Sequence, residues 1–332
     1  MKAVILERSL EDKVHVLDVP LSELASGYVR VQIKAAALNH RDEWARKGLY
    51  PNLKDGIILG SDGAGIVSQV GEGVSSDLVG KEVIINPALF WGDDQRAQSK
   101  EFGILGIPTN GTLAEFVDVR ADRIHVKPSH LSWEEAAALP LAGLTAFRAL
   151  FYRGELNEGQ KVLITGFGGG VAQFAAQFAI NAGAKVWVSS SSEEKITKAK
   201  EIGAQGGFNY QEESWVDQAK KESGGFDLII DGAAGPSFAN LLKVVSPGGT
   251  IVFYGATKGN PDGLDARRVF WNQISIKGST MGSDQDFADM LAFVEQKKIH
   301  PIIDQVFSLK EAVQAFDRMK AGKQMGKIVL TP

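Results

Sequence analysis

The 332-residue chain contains no cysteine. Disulfides, iron–sulfur clusters, thiolate zinc sites and a cysteine nucleophile are all excluded by that absence. Histidine is also scarce. His15, His40, His125, His130 and His300 are the only five, and no pair has the i, i+4 spacing that sets two imidazoles on one helix face for zinc. Positive charge is not in excess. A net charge of -4 and a pI of about 5.8 leave no basic field, so neither nucleic acid nor a membrane surface is expected as a partner. The opening "MKAVILERSLEDKVHV" interrupts its apolar run with Glu7, Arg8, Glu11 and Asp12. It has no unbroken secretory core, and a cytoplasmic location is expected. Repeats and low-complexity linkers are missing too. What remains, 44% hydrophobic and 23% charged residues, is the composition of an ordinary globular chain, long enough for two domains.

The longest charge-free stretch is "LITGFGGGVAQFAAQFAINAGA", from Leu163 to Ala184. Its length would suit a membrane span. Four glycines within Gly166–Gly170 make poor helix, however, and the residues after them divide into two faces. Val171, Phe174, Ala175 and Phe178 form an apolar stripe, while Gln173, Gln177 and Asn181 line another side. That is an amphipathic helix of about three turns. Before the glycines, Val162–Thr165 reads as a buried strand, and "AKVWVSS" (184–190) reads as the next one. Strand, glycine turn, helix and strand make a βαβ unit. Its turn directs backbone N–H groups and the positive helix end at an anion such as a pyrophosphate. Gly166, Gly169, Gly170 and Val171 are the candidate contacts; the motif ends in Ala172 where a third glycine would be usual. A close-packed turn without ligand is the alternative.

Further alternation supports a doubly wound parallel sheet, an α/β fold. "FDLIIDGA" (226–233), "GGTIVFYGA" (248–256) and "ISIKGST" (274–280) read as strands, with helices at "EEKITKAKEIGA" and "PSFANLLKVV". Ligands of such sheets lie beyond the strand carboxyl ends, which places Gly166, Ser190, Asp231 and Gly255 along one rim. Residues before about 127 differ. "YVRVQIKAAAL", "GSDGAGIVSQVGEGV" and "GKEVIINPAL" are short strands punctuated by glycine, as in a partly open barrel. Helices follow around Pro140, with Ser132 as N-cap and Glu135 at the capping-box position. The helix "SDQDFADMLAFVEQKK" and the strand "GKIVLTP" end the chain, and that strand is placed to return to the first domain.

The order "GSDGAGIVSQVGEGV", "LPLAGLTAFRAL", "GFGGGVAQFAAQFA", "GFNYQEE", "GGTIVFYGAT" and "GKIVLTP" resembles the medium-chain dehydrogenase/reductase superfamily, over essentially the whole chain. Within it the chain is similar to the zinc-free branch of NADPH:quinone and enone reductases. The resemblance implies a GroES-like domain (1–126 and 283–332), a Rossmann cofactor domain (127–282), an active site in the cleft, and a homodimer made by edge pairing of Rossmann sheets through "GGTIVFYGA". Zinc-using members hold their catalytic metal at positions that fall here on Asn39, Ser61 and near Leu141, none a good zinc donor. No metal is therefore expected. His40 and Asp62 lie close by in sequence and could bind a metal or simply hydrogen-bond locally. "LFWGDDQRAQSKEFGILG" stands in place of the structural zinc lobe and has no chemical reading.

The cofactor implied is NADP(H). The second Rossmann strand ends in Ser189–Ser192, with no carboxylate for ribose hydroxyls, and Glu193 is the rival acid. Ser190, Ser191 and Lys195, with Tyr210 by resemblance, are the candidate partners of a 2′-phosphate. An ordinary capped helix start is the alternative for the serines and Lys195. Family placement adds Thr145, Gly255 and Ala256 near the nicotinamide and Lys327 at the pyrophosphate. A back-bonded helix residue, a plain turn and a surface lysine are their alternatives. Without zinc, an electron-poor quinone or α,β-unsaturated carbonyl is the expected small-molecule acceptor. The Asn39 amide and the Tyr50 hydroxyl are the candidate catalytic donors to its oxygen. Asn39 could equally cap a helix starting near Arg41, and Tyr50 could pack before Pro51. Trp44 and Trp91 could wall the pocket or fill the core. Two other readings remain: an alcohol dehydrogenase with an atypical metal site around His40 and Asp62, and a crystallin-like nucleotide binder without turnover.

Overall fold

The computed structural model describes residues 1–332, which fall into two compact units, Met1–Ala142 with Ser283–Pro332, and Gly143–Gly282. In chain order the first part holds β1 (Lys2–Leu6), β2 (Val14–Asp18), β3 (Tyr28–Ala37), α1 (His40–Arg46), β4 (Asp62–Val70), β5 (Glu82–Ile85), β6 (Ala88–Leu89), β7 (Gly103–Ile104), β8 (Phe116–Arg120), β9 (Ile124–Val126) and α2 (Trp133–Ala138). The middle part holds α3 (Pro140–Phe147), β10 (Lys161–Ile164), α4 (Gly170–Asn181), β11 (Lys185–Ser190), α5 (Glu193–Glu201), β12 (Gly206–Asn209), α6 (Trp215–Ser223), β13 (Phe226–Asp231), α7 (Phe238–Val244), β14 (Val245–Phe253), α8 (Ala266–Trp271) and β15 (Ser275–Gly278). The last part holds α9 (Asp284–Lys297), β16 (Ile303–Ser308), α10 (Ala312–Lys320) and β17 (Lys327–Thr331).

The discontinuous unit is built on a seven-stranded sheet, β16-β17-β3-β4-β5-β9 with β8 also on β3. The alternation of "YVRVQIKAAAL" sends Val29, Val31 and Ile33 inward, where they meet Val67, Val83, Leu113 and Val117. The terminal β17 pairs antiparallel with β3, Val329 opposite Ala37, so the last strand of the chain joins the sheet of its N-terminal part. Helix α2 starts as its sequence predicts: Ser132 Oγ accepts from the Glu135 amide, and the Glu135 carboxylate accepts from the Ser132 amide. Ala136, Ala137 and Ala138 are buried, and α2 packs on β3, β4 and β17. That packing carries residues 127–142 into this unit, whereas the sequence expectation divided the chain after residue 126.

The second unit is a six-stranded, all-parallel sheet in the order β12-β11-β10-β13-β14-β15. The order reverses between β10 and β13, the switch point at which such sheets bind ligands beyond their carboxyl ends. Val162, Leu163 and Ile164 of β10 are fully buried at the centre. Helix α4 runs over 12 residues, Gly170–Asn181, and no helix of the structure is long and apolar enough to cross a membrane. One expectation is corrected. Strand β14, the "GGTIVFYGA" strand, is paired on both sides, by β13 and β15, and cannot offer a free edge. The edge belongs to β15, beside α8 with its exposed Phe270 and Trp271.

Candidate functional site

The glycine turn lies between β10 and α4. Gly166 and Gly168 have φ of +66° and +144°, values that favour glycine. A Cβ added at Gly166 or Gly169 would meet nothing within 4 Å, so the backbone is bare toward open space. The turn is fixed from behind: the Phe167 amide donates to Ser189 O (2.8 Å), and the Phe167 ring is buried. The amides of Gly170, Val171 and Ala172 open α4 with no acceptor within the helix, and the first intrahelical partner is Gly169 O, taken by Gln173. This is a cradle for an anion at a helix N-terminus. Lys195 comes over it: a Cβ on Gly168 would lie 2.8 Å from Lys195 Nζ.

The neighbouring strand ends complete the rim. Ser190 is buried; its hydroxyl donates to Phe167 O (3.2 Å) and accepts from the Ser192 amide (3.3 Å). It therefore braces the turn, and Ser191 beside it is exposed. Tyr210, just past β12, is exposed, and its amide donates to Ser190 O. Glu193, the rival acid, accepts from the Asn209 side-chain amide (3.2 Å). Thr145 is buried in α3 with its hydroxyl 3.8 Å from Met281 Sδ. Gly255 follows β14 so closely on β13 that a Cβ there would lie 2.9 Å from Gly232 O; Ala256 beyond it is exposed. Two residues of this rim were not given roles from sequence. Asp231 is buried and accepts from Thr165 Oγ1 (2.5 Å) and the Ala234 amide (2.7 Å). Tyr254 packs its phenol over Gly232, and burial, with the charge of Asp231, raises its pKa. These groups fit a dinucleotide: bare turn, free helix amides, and a lysine above them.

In the GroES-like unit the positions Asn39, Ser61 and Leu141 do converge, around Asp62. That carboxylate is fully buried. Its Oδ1 accepts from the Leu141 amide (2.8 Å), and its Oδ2 from Asn39 Nδ2 (2.9 Å) and Lys327 Nζ (2.8 Å). Lys327 Nζ also donates to Asn39 Oδ1 (2.7 Å), and the lysine is 4% exposed. Lys327 was expected at a pyrophosphate; the structure instead commits its ammonium to a buried carboxylate that needs a counter-charge. Asn39 is the N-cap of α1, but through its backbone amide, which donates to Asp42 Oδ2 (2.8 Å). Its side-chain amide, expected to face an acceptor, is held between Asp62 and Lys327. Asp42 is fully buried with Oδ1 unpaired, and desolvation pushes its carboxyl up to about 6.

Ser61 Oγ donates to Leu105 O (2.7 Å) and accepts from Arg41 Nη1 (2.5 Å). Arg41 Nε donates to the Tyr50 hydroxyl (3.2 Å), and the guanidinium stacks 4.7 Å from the Tyr50 ring centroid. The Tyr50 hydroxyl accepts this bond and keeps its own proton to donate. His40 keeps solvent contact, and surrounding protein with the charges of Lys327 and Lys47 lowers its pKa. Trp91 is buried in the 90–110 segment, edge-on to Phe102 and bonded to Asp94 O (3.1 Å), which makes it core to that loop; Trp44 is partly buried. The donor set does not fit zinc. An amide and a hydroxyl already in use, a leucine, and a carboxylate carrying an ammonium replace thiolate and imidazole, and no three acidic or histidine side chains gather as metal ligands.

A GroES-like unit and a Rossmann unit with an open glycine turn define a dinucleotide-dependent oxidoreductase. Residues 25–129 match the alcohol dehydrogenase GroES-like domain, and residues 170–296 match the zinc-binding dehydrogenase family. A zinc-type alcohol dehydrogenase-like protein, YogA, of Leptosphaeria maculans is 36% identical over 91% of this chain and 90% of its own length. The quinone oxidoreductase of Rattus norvegicus is 30% identical over 94% of this chain and 92% of its own. A crystal structure of an NAD-dependent alcohol dehydrogenase, 36% identical, covers 100% of both chains with a TM-score of 0.94. The chain belongs to the medium-chain dehydrogenase/reductase superfamily.

Proposed function

We propose that the protein is an NADPH-dependent, zinc-independent reductase of quinones or α,β-unsaturated carbonyls. The observation that carries this reading is the Lys327 ammonium on Asp62 and Asn39, where Asn39 stands at one of the positions by which the superfamily's zinc enzymes hold their metal and Asp62 lies beside another. A cation is already in that anionic recess, and without a Lewis acid the acceptor must be electron-poor in its own right. A reduced nicotinamide dinucleotide, when bound, supplies the hydride. The glycine turn and the first α4 amides hold its diphosphate. Lys195 and Ser191 receive a 2′-phosphate, in keeping with a β11 that ends without a carboxylate and a Glu193 turned to Asn209. Tyr50 donates a hydrogen bond toward the acceptor oxygen, and water supplies the final proton. Two copies pair along β15.

The test is a screen of NADPH and NADH oxidation across quinones, enones and aldehydes, with and without chelator. The reading expects chelator-resistant turnover of quinones or enones. Chelator-sensitive alcohol or aldehyde turnover with stoichiometric zinc would overturn it in favour of an atypical metal site. Dinucleotide binding without turnover of any acceptor would favour a binding protein. Lys195→Ala should raise the KM for NADPH far more than that for NADH; equal effects would remove the phosphate role.

A further inference from the structure

We propose that the Arg41 guanidinium binds the acceptor's oxygen and takes up the negative charge that forms on it, an inference that rests on the reductase reading above. Arg41 is only 6% exposed, yet it makes no ion pair. The other buried arginines of the same unit all rest on carboxylates: Arg30 on Asp118, Arg46 on Glu43 and Asp317, Arg123 on Asp122 and Asp284. Arg41 has only neutral partners. Nε meets the Tyr50 hydroxyl, and Nη1 meets Ser61 Oγ and Leu105 O (2.8 Å). No carboxylate is bonded to it: Asp42 accepts from Asn39 through Oδ2 and keeps Oδ1 unpaired, interacting with Arg41 through charge alone, and Asp62 carries Lys327.

The third nitrogen, Nη2, has no acceptor in the chain and is not among the unpaired polar atoms sealed from solvent. Its two N–H groups are thus free to donate outward. No carboxylate touches the guanidinium, although the charge of neighbouring Asp42 reaches it, and an anion that bonds to it directly recovers part of the cost of burying it. The planar fork is pre-oriented, because Tyr50 stacks on its face and Ser61 and Leu105 fix one edge. The Tyr50 hydroxyl beside Nε brings a proton donor to the same place.

The chemistry needs such a group. Hydride addition to the β-carbon of an α,β-unsaturated carbonyl breaks the C=C π bond and sends its electron pair to the carbonyl oxygen as an enolate. The acceptor gains two electrons, the nicotinamide loses them, and a proton from water reaches the α-carbon. Charge on that oxygen is greater in the transition state than in the bound substrate. A fixed cation aimed at it therefore lowers the barrier.

The experiment uses 4-nitrophenol with the dinucleotide-free protein, since bound phenolate and phenol differ in colour. Wild type should bind the phenolate at least tenfold more tightly than the neutral phenol, in competition with the acceptor. Equal affinity for the two forms overturns the proposal without any variant. Arg41→Met should lose that preference, and should lower kcat for an enone on the order of a hundredfold or more with dinucleotide affinity unchanged. Should Arg41→Met not fold, Arg41→Gln, which keeps a donor toward Ser61, carries the same expectation. A folded neutral variant with wild-type phenolate preference refutes the role. If wild type turns over no acceptor, the reductase reading fails, while the phenolate measurement still reports on Arg41 alone.

Discussion

Lys327→Met separates two accounts of one lysine. Read from sequence, Lys327 reaches a pyrophosphate, and its loss would weaken dinucleotide binding with little effect on stability. In the structure it is an interior ion-pair partner, 4% exposed, bonded to a fully buried Asp62 and to Asn39. Neither charge is screened by solvent. Removing one partner of such a pair typically costs about 3–5 kcal/mol, because the other charge stays buried and uncompensated. For a unit of this size that lowers its thermal midpoint by about 6–20 °C. Chemical denaturation followed by circular dichroism, with dinucleotide binding measured on the same samples below the transition, reads both quantities. The double variant Lys327→Met/Asp62→Asn should regain at least half the loss, since the introduced side-chain amide can still accept from the Leu141 amide without carrying charge. A single variant that loses less than ~1 kcal/mol while dinucleotide affinity falls tenfold would restore the sequence account and refute the structural one.

Three further outcomes are expected. Gly166→Ala puts a Cβ in open space at a φ of +66°, so it should cost only about 1–2 kcal/mol of stability, yet calorimetry should show dinucleotide affinity largely lost. Asp42 has a folded pKa raised to about 6, above the ~3.9 of an unfolded Asp, so the folded state binds the extra proton and stability falls as pH rises from about 4 through about 6. Asp42→Asn should flatten that fall in urea melts; an identical pH profile for both proteins would contradict the burial argument. Ile276→Lys on the edge strand β15 should shift a dimer toward monomer in sedimentation, whereas the same change in a monomeric wild type would leave nothing to shift and would end the edge-pairing proposal.

Local signals were readable in the sequence and distant ones were not. The β10–turn–α4 order, the Ser132–Glu135 capping box and the alternation of β3 are each written in one continuous short stretch, and each appears where expected. Strand β12 escaped notice because "GGFN" has little strand propensity; pairing with β11 and packing under α5 make it a strand. The boundary after residue 126 followed a change in composition, but the alanines of α2 pack against strands of the first unit, and packing decides. The partner of Lys327 was beyond reach, since Asp62 lies 265 positions away in sequence. In the sequence Arg41 marks only the start of a helix. An arginine next to Asp42 reads as a paired helix residue, and only the fold shows that the two share charge but no hydrogen bond.

A bound metal in a reductase of this superfamily would do two separable things: neutralise buried acid, and polarise the substrate oxygen. On the reading proposed above, this chain gives the two tasks to different cations. Lys327 is committed to Asp62 and Asn39; Arg41 has neutral partners and an open Nη2. The division follows from their chemistry. A compact ammonium suits a carboxylate and an amide oxygen at 2.7–2.8 Å, while a planar fork can brace on one edge and present the other. The two substitutions must then have opposite signatures. Lys327→Met should lower stability and spare the phenolate preference of the folded fraction, and Arg41→Met should abolish that preference at smaller cost in stability, because Arg41 is hydrogen-bonded to no carboxylate. If both variants lost both properties together, the two cations would form one network, and the separation of tasks would be wrong.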